Sequence, residues 1–461
     1  MASSVAIDIC SELCKARNKF DDEFEFSKVD TIIHRFPAGL GSIGCRYPYI
    51  GPRFVAIGPY HHGVGHLMKM EEVKKAAAKC FCELTGLDPD VGLKKMEALE
   101  GEARRKYVDI KGGSGGGHDD AVSSFAAMMF RDACSLLLYM DYVYQSINPC
   151  YRTGQQVINQ SMQRFLFSNR DSIDNDIMLL ENQLPWLVVQ AIMGLVSPEK
   201  KLVLKKAVGN FITDMGGAFR VLETEGKPYE YDEGDWPPHL LALLRHYKIN
   251  GEHQQLHEHE CCPLLNVPNR ATEAQTEPES VSPMELEEIG IRLTASKTAA
   301  FSDMGFVEGW FSSELSLAPL SLSDARASCL VNMAAWEVCT ASSFGDNPDK
   351  TAVCSYLALL AMFMVREEDV HTLRAKGLLH GPHSNKEMLT FFKTVVKHLP
   401  DSGSRFAYIM KDIADYRAKR YIWTQVYKWV YNNYKTIITV VSILATLVGL
   451  FSALFNLTKH K

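Results

Sequence analysis

Several things are missing from these 461 residues, and each absence removes a class of function. Lys and Arg number 49 against 55 Asp and Glu, a net charge of −6, so there is no basic footprint for nucleic acid. No C-x-x-C pair stands at zinc-finger spacing, and no G-K-[ST] follows the glycine-rich loop KGGSGGGHDD, which excludes a phosphate loop there. The 12 cysteines are scattered, several within apolar helical patterns where a thiol simply packs, a reduced intracellular pattern and not a disulfide framework. The first residues, MASSVAIDICSELCKARNKF, hold only a short apolar run broken by Asp8, with no basic region and no cleavage site, so a secretory leader is not expected. Long uncharged runs are absent as well, with one exception.

That exception is TIITVVSILATLVGLFSALFNL, residues 436–457. Its 22 residues carry no charge, and at 1.5 Å per helical residue they cover roughly the 30 Å hydrocarbon core of a bilayer. Immediately upstream stand Trp423, Tyr427, Trp429, Tyr431 and Tyr434, interleaved with Arg417, Lys419, Arg420, Lys428 and Lys435. Aromatics of this kind favour the headgroup layer, and the basic excess predicts a cytosolic body with a short tail across the membrane. The expectation is a single-pass integral membrane protein that contacts lipid through residues 436–457 and inserts after synthesis of its body. Of the N-x-[ST] sites at Asn159 and Asn456, use of the first would reverse that orientation.

With 46% hydrophobic and 23% charged residues, the remainder has ample material for a core. The patterns predict a mainly α protein: a helical globular body with a small β element in its second half, plus the C-terminal transmembrane helix. Residues 1–30 read as a helical arm, 31–249 as the first part of the body, and 250–283 as a polar linker or insertion. Residues 284–435 read as the second part, followed by the span 436–457 and the tail 458–461. Helical spacing puts Val73, Ala76, Cys80 and Leu84 on one face after Glu71, and Phe125, Met129, Leu136, Met140, Val143 and Ile147 on another stripe. Asp174 to Asp176 offer N-caps for a helix starting at Ile177, which Pro185 kinks or follows with a second helix. Short strands are expected around Gly290–Thr294, Ala299–Phe311 and Glu314–Leu322, then core helices over Asp324–Cys339 and Ala352–Val365. A last amphipathic helix carries Phe406, Met410 and Ile413 on one side.

Between residues 36 and 63 proline and glycine forbid a long helix, so the chain is extended and turn-rich. This stretch contains VAIGPYHHG, with Gly58, Pro59, Tyr60, His61, His62 and Gly63, followed by LMKMEEVKK. Together with DIMLLENQLPWLVV at 176–189, ELEEIGIRL at 285–293, and the L-x-N-x-x-A-x-E-x-C pattern at 330–339, it resembles the plant "domain of unknown function 247" family across nearly the whole chain. Ala56, where the family commonly has Ser, and the short N-terminal arm depart from the pattern. The resemblance implies a single C-terminal span and no established enzymatic activity. It also implies a link to recognition, since some members are associated with self-incompatibility in grasses. It supplies no agreed binding residue.

Adjacent His61 and His62 lack further ligands at any recognisable spacing, which favours a structural or surface role. Gly112, Ser114 and Gly116 spell G-x-S-x-G, but without a strand before and a helix after it they form a linker. His253, His257, His259, Cys261 and Cys262 are the densest set of metal-binding side chains, read as adventitious. Glu181, Asn182 and Gln183 lie between apolar runs beside Pro185 and must be hydrogen-bonded; they form either a network joining two core helices or a buried working carboxylate. Asn332 and Glu337 are a second polar pair in an apolar helix. No catalytic residue, cofactor or metal is assigned. The reading is a membrane-anchored component that recognises an unidentified protein partner; the alternative is a membrane-bound hydrolase or transferase with a pocket near Glu181 or the two histidines.

Overall fold

A helix that turns charges inward organises the first part of the body. Helix α1 (Met68–Thr85) buries Met70, Glu71, Lys74, Ala77, Ala78 and Phe81, whereas the expected stripe of Val73, Ala76, Cys80 and Leu84 is only partly covered or exposed. The shift has a physical cause. Lys74 Nζ finds Ala56 O at 2.7 Å and Asp132 Oδ1 and Glu71 Oε1 at 2.6 Å each, so its charge is matched indoors and the apolar face rotates to suit. Asp132 lies on α3 (His118–Ile147), the central helix, against which α1, α2 (Pro89–Arg105), α6 (Trp186–Gly194) and α7 (Pro198–Gly217) pack. Because α3 is covered on nearly all sides, Asp132 and Asp141 are buried along with Phe125, Met129, Leu136, Met140 and Val143 of the expected apolar stripe.

The computed structural model describes residues 32–44, 49–110, 118–147, 158–217, 219, 229, 237–250, 281–309, 312–341, 348–420, 433, 443, 444, 446 and 449. The short helix α4 (Gln160–Ser168) is capped by Asn159, whose side chain accepts from Met162 N at 2.8 Å. The helix expected to begin at Ile177 is not there. Instead α5 (Arg170–Ile177) ends at that residue, and turns lead through Glu181 to Gln183 before α6 starts after Pro185. Asp174 to Asp176 therefore lie in the last turn of α5 and cap nothing; Asp176 is turned toward the extended segment before α1.

The second part follows the sequence patterns closely. Helices α8 (Leu240–Asn250) and α9 (Pro283–Glu288) precede a three-stranded sheet of order β1-β3-β2. Strand β1 (Ile291–Ala295) runs parallel to β3 (Ser313–Leu317), with Leu293 opposite Leu315, and β2 (Gly305–Val307) runs antiparallel to β3. A two-residue parallel pair joins β4 (Leu320–Ser321) to β5 (Leu379–His380). Helix α10 (Asp324–Thr340) and the wholly buried α11 (Ala352–Met362) form the core, flanked by α12 (Glu367–Ala375) and α13 (Asn385–His398). Residues 404–420 are helical, bury Phe406, Ile409, Ile413 and Tyr416, and rest on the sheet through Tyr416 against Phe306 and Lys419 on Glu308. One apolar cluster runs from Ile33 to Tyr416 through both parts.

Among the described residues no helix is long and apolar enough to cross a membrane. The expected span, 436–457, lies outside them apart from Ile443, Leu444, Thr446 and Gly449, each of which is helical. Also outside are the arm 1–30, loop 111–117 with its G-x-S-x-G, residues 251–280 with the His253–Cys262 set, the aromatics 423–434 other than Asn433 between them, Asn456 and the tail 458–461.

Candidate functional site

The turn-rich segment before α1, expected to be extended but helical over Ala38–Leu40 and Gly41–Gly44, forms a strap across the body, and buried side chains hold it by its backbone. A chain without helix or sheet partners must satisfy its N–H groups elsewhere. Asp176 does this for three consecutive residues: its carboxylate accepts from Arg53 N at 3.1 Å, Phe54 N at 2.6 Å and Val55 N at 2.9 Å. Asn182 continues the series, donating to Val55 O at 2.9 Å and accepting from Ile57 N at 2.7 Å. Asp132 accepts from Gly58 N at 2.8 Å. Burial works against the Lys74 charge, but Asp132 and Glu71 outweigh it and hold the ammonium above its usual range.

At Gly58 the strap turns. Its φ of +73° is a left-handed conformation, and an added Cβ would stand 2.7 Å from Gln183 O and 2.8 Å from Tyr107 Oη. Only glycine combines that conformation with so close an approach. Tyr107 Oη donates to Gln183 O at 2.9 Å, and the Gln183 side chain donates to Ile177 O and Leu179 O while accepting from Leu241 N at 3.1 Å. After Pro59, the Tyr60 hydroxyl lies between Val108 O at 2.8 Å and Ile33 O at 3.0 Å, tying the turn to the start of the strap. Burial raises the Tyr60 pKa, so it stays a neutral donor.

Glu181, His61, Arg35 and Tyr60 meet where this turn reaches the surface. Glu181 accepts from Phe36 N at 2.8 Å and pairs with Arg35 at 3.2 Å, while the Arg35 guanidinium lies 3.7 Å above the Tyr60 ring. His61 Nε2 is 3.5 Å from the same Glu181 oxygen and is buried without a hydrogen-bond partner. Burial lowers the His61 pKa, with Glu181 opposing it. His62 points to the other side, with Nδ1 3.8 Å from Glu71, and Gly63 ends the turn at φ +81°. The solvent-facing part of the site is therefore Arg35, His61 and His62, over carboxylates fixed from beneath.

Asn332 joins this network and Glu337 does not. Asn332, fully buried on α10, accepts from Leu180 N at 2.8 Å and donates to Tyr49 O at 3.0 Å, so it clamps the residue next to Glu181 and another point of the strap. Glu337 faces the opposite way, where it pairs with Arg245 at 2.6 Å and accepts from Val353 N and Cys354 N at the start of α11. It acts as a cap supplied by another helix, although burial raises its pKa against the pull of Arg245. Asp132, Asp176, Lys74, Tyr107 and Arg35 belong to the site but are missed by local sequence patterns. A carboxylate inside the apolar stretch around Asp132 is the one local signal that could have found them. Among the described residues no group of three or more His, Cys, Asp or Glu side chains is placed to hold a metal ion.

The chain is 25% identical over 387 residues to the UPF0481 protein At3g47200 of Arabidopsis thaliana, which covers 80% of this chain and 74% of the relative. No solved structure matches it. A family model described as a plant protein of unknown function matches residues 33–450, from the first bonds of the strap through every site residue above. On that extent of agreement the chain belongs to the DUF247 family of plant proteins.

Proposed function

We propose that this protein is a membrane-anchored recognition component, held in a bilayer by residues 436–457, whose helical body meets another protein without turning over a substrate. The observation that carries this reading is what the site does with its carboxylates. Asp132, Asp176 and Glu181 each accept backbone N–H groups, so they fix the chain in place instead of standing open to a reactant. What remains outward is the turn bearing His61 and His62, with Arg35 stacked on its Tyr60, suited to polar contact with a partner surface. The anchor rests on the uncharged run itself, and Ile443 and Leu444, both more than half exposed, fit lipid-facing positions.

A second reading, a membrane-bound hydrolase or transferase, draws on one observation: the unpartnered His61 Nε2 beside Glu181. The test has two arms. With a glycosylation acceptor tag after Lys461 and expression in plant cells, the carbonate-resistant fraction should carry an endoglycosidase-sensitive mass shift; recovery in the soluble fraction would sink the anchor. Glu181→Gln should lower the melting temperature. Unchanged melting together with lost biological activity would favour the enzyme.

A further inference from the structure

Building on the recognition role proposed above, we propose that the partner docks on the turn leading into α1, residues 60–69, through a short acidic segment that also carries an apolar side chain. The turn is tightly built. Val64 N donates to His61 O at 3.3 Å and Leu67 N to Val64 O at 2.9 Å, and Leu67 is buried beneath them. His66 Nε2 lies 3.2 Å from Pro52 O, which brings the exposed Arg53 of the strap alongside. Arg35 stands at the same turn, because it shares one Glu181 oxygen with His61 Nε2, at 3.2 and 3.5 Å.

Two apolar side chains stay outside this packing. Val64 and Met68 bracket Leu67, yet they remain 37% and 49% exposed where Leu67 is sealed. They lie among His62, His66 and Lys69, all exposed. Apolar contact within a polar rim is how protein interfaces are built, and methionine adapts its shape to the side chain it meets.

The surface groups fix the character of the partner. The carboxylates of this region lie beneath and are engaged: Glu181 by Phe36 N and Arg35, Glu71 by Lys74, and Asp176 by Arg53 N, Phe54 N and Val55 N. Glu72, although exposed, bonds Lys75 at 2.7 Å. The groups that reach solvent are accordingly donors: the Arg35, Arg53 and Lys69 cations and the imidazoles of His62 and His66, against the exposed carboxylate of Asp109 near Tyr60. Donors of this kind are completed by carboxylates, and an Arg35 guanidinium already stacked on Tyr60 suits a bidentate pair. The whole chain carries −6, which repels a nucleic acid or an anionic bilayer at long range, whereas a short acidic segment pairs locally.

The test is photocrosslinking of the full chain in plant membranes, with p-benzoylphenylalanine in place of Met68 and, in separate controls, of Phe167 and Met284, which are 74% and 68% exposed on α4 and α9. The expected product joins position 68 to a peptide rich in Asp and Glu. Its yield should fall at least about tenfold in Arg53→Gln/Lys69→Glu, a variant that keeps every backbone bond of the strap and should melt like the parent protein. Lys69→Glu alone should lower the yield in the same direction. Added poly-L-glutamate should compete, and poly-L-lysine should not. Capture at position 68 of lipid, or of a peptide without excess acid, would overturn the proposal, as would a yield indifferent to the double variant. Capture at Phe167 or Met284 but not at Met68 would overturn this docking face and leave the recognition role standing; capture at none of the three would count against both.

Discussion

Replacing Lys74 by Met tests the architecture at its centre. Lys74 and Asp132 side chains are each about 1% exposed and share a 2.6 Å contact. Removing one member of such a pair leaves an uncompensated charge in a low-dielectric interior, a loss of about 3 to 5 kcal/mol. The double variant Lys74→Met/Asp132→Asn removes the Asp132 charge and keeps an acceptor for Gly58 N, while Glu71 stays without Lys74, so it should recover part of that loss. The pH dependence has a definite sign. Without Lys74, Asp132 has a folded pKa above its unfolded value, so its protonated form favours the fold at low pH and that stability is lost as pH rises through the folded pKa. The Lys74→Met penalty should accordingly be smaller at pH 5 than at pH 8. Denaturant midpoints followed by far-UV circular dichroism, at both pH values, read all three effects. A single-variant loss below about 1 kcal/mol, the range of an exposed pair, would refute the buried position of this contact.

Other perturbations give outcomes of their own. Gly58→Ala should cost at least about 3 kcal/mol, because left-handed backbone strain of about 1 to 2 kcal/mol adds to contacts with Gln183 O and Tyr107 Oη; melting equal to the parent protein would contradict the turn. Burial pushes the Asp141 carboxyl up to about 6, so Asp141→Asn, which still accepts from Gln145, should stabilise at pH 8 by up to about 3 kcal/mol and do nothing at pH 4. His239, fully buried, has its pKa lowered by burial to about 3. Its contribution is complete above pH 6.5 and fades as pH falls toward 3, up to about 5 kcal/mol in all, and His239→Gln should flatten the stability curve across that window.

Much of the second part of the body is legible locally, because β1, β3, α10 and α11 announce themselves within a few residues through alternation, turn chemistry and continuous apolar runs. That no long helix forms among the described residues of 36–63 is equally plain from proline and glycine, although Ala38–Leu40 and Gly41–Gly44 make short helical turns where an extended chain is expected. The inward face of α1 is hidden, since Glu71 and Lys74 look like solvent-facing charges until Asp132 is known to be opposite. Asp176 misleads for a similar reason: an acidic residue before an apolar run looks like a helix cap, yet its partners, Arg53 to Val55, lie 121 to 123 residues upstream. The polar trio at 181–183 is correctly marked as needing partners, and Asn332 as a buried polar residue, but pairing by side chains across such separations leaves no periodic trace. Glu337 and Asn332 illustrate the limit: five residues apart on one helix, they serve different regions.

The strap also sets an order of events during synthesis. It emerges from the ribosome before everything that holds it: Phe36 waits for Glu181, 145 residues later, and Tyr49 for Asn332, 283 residues later. At about 5 to 20 residues per second, the second interval lasts roughly 14 to 57 s. For that time Leu40, Ile43 and Val55, all buried in the finished protein, have no surface of their own to cover them. A segment that leaves the tunnel early is thus among the last to dock, and over that interval its apolar side chains are a surface for chaperones.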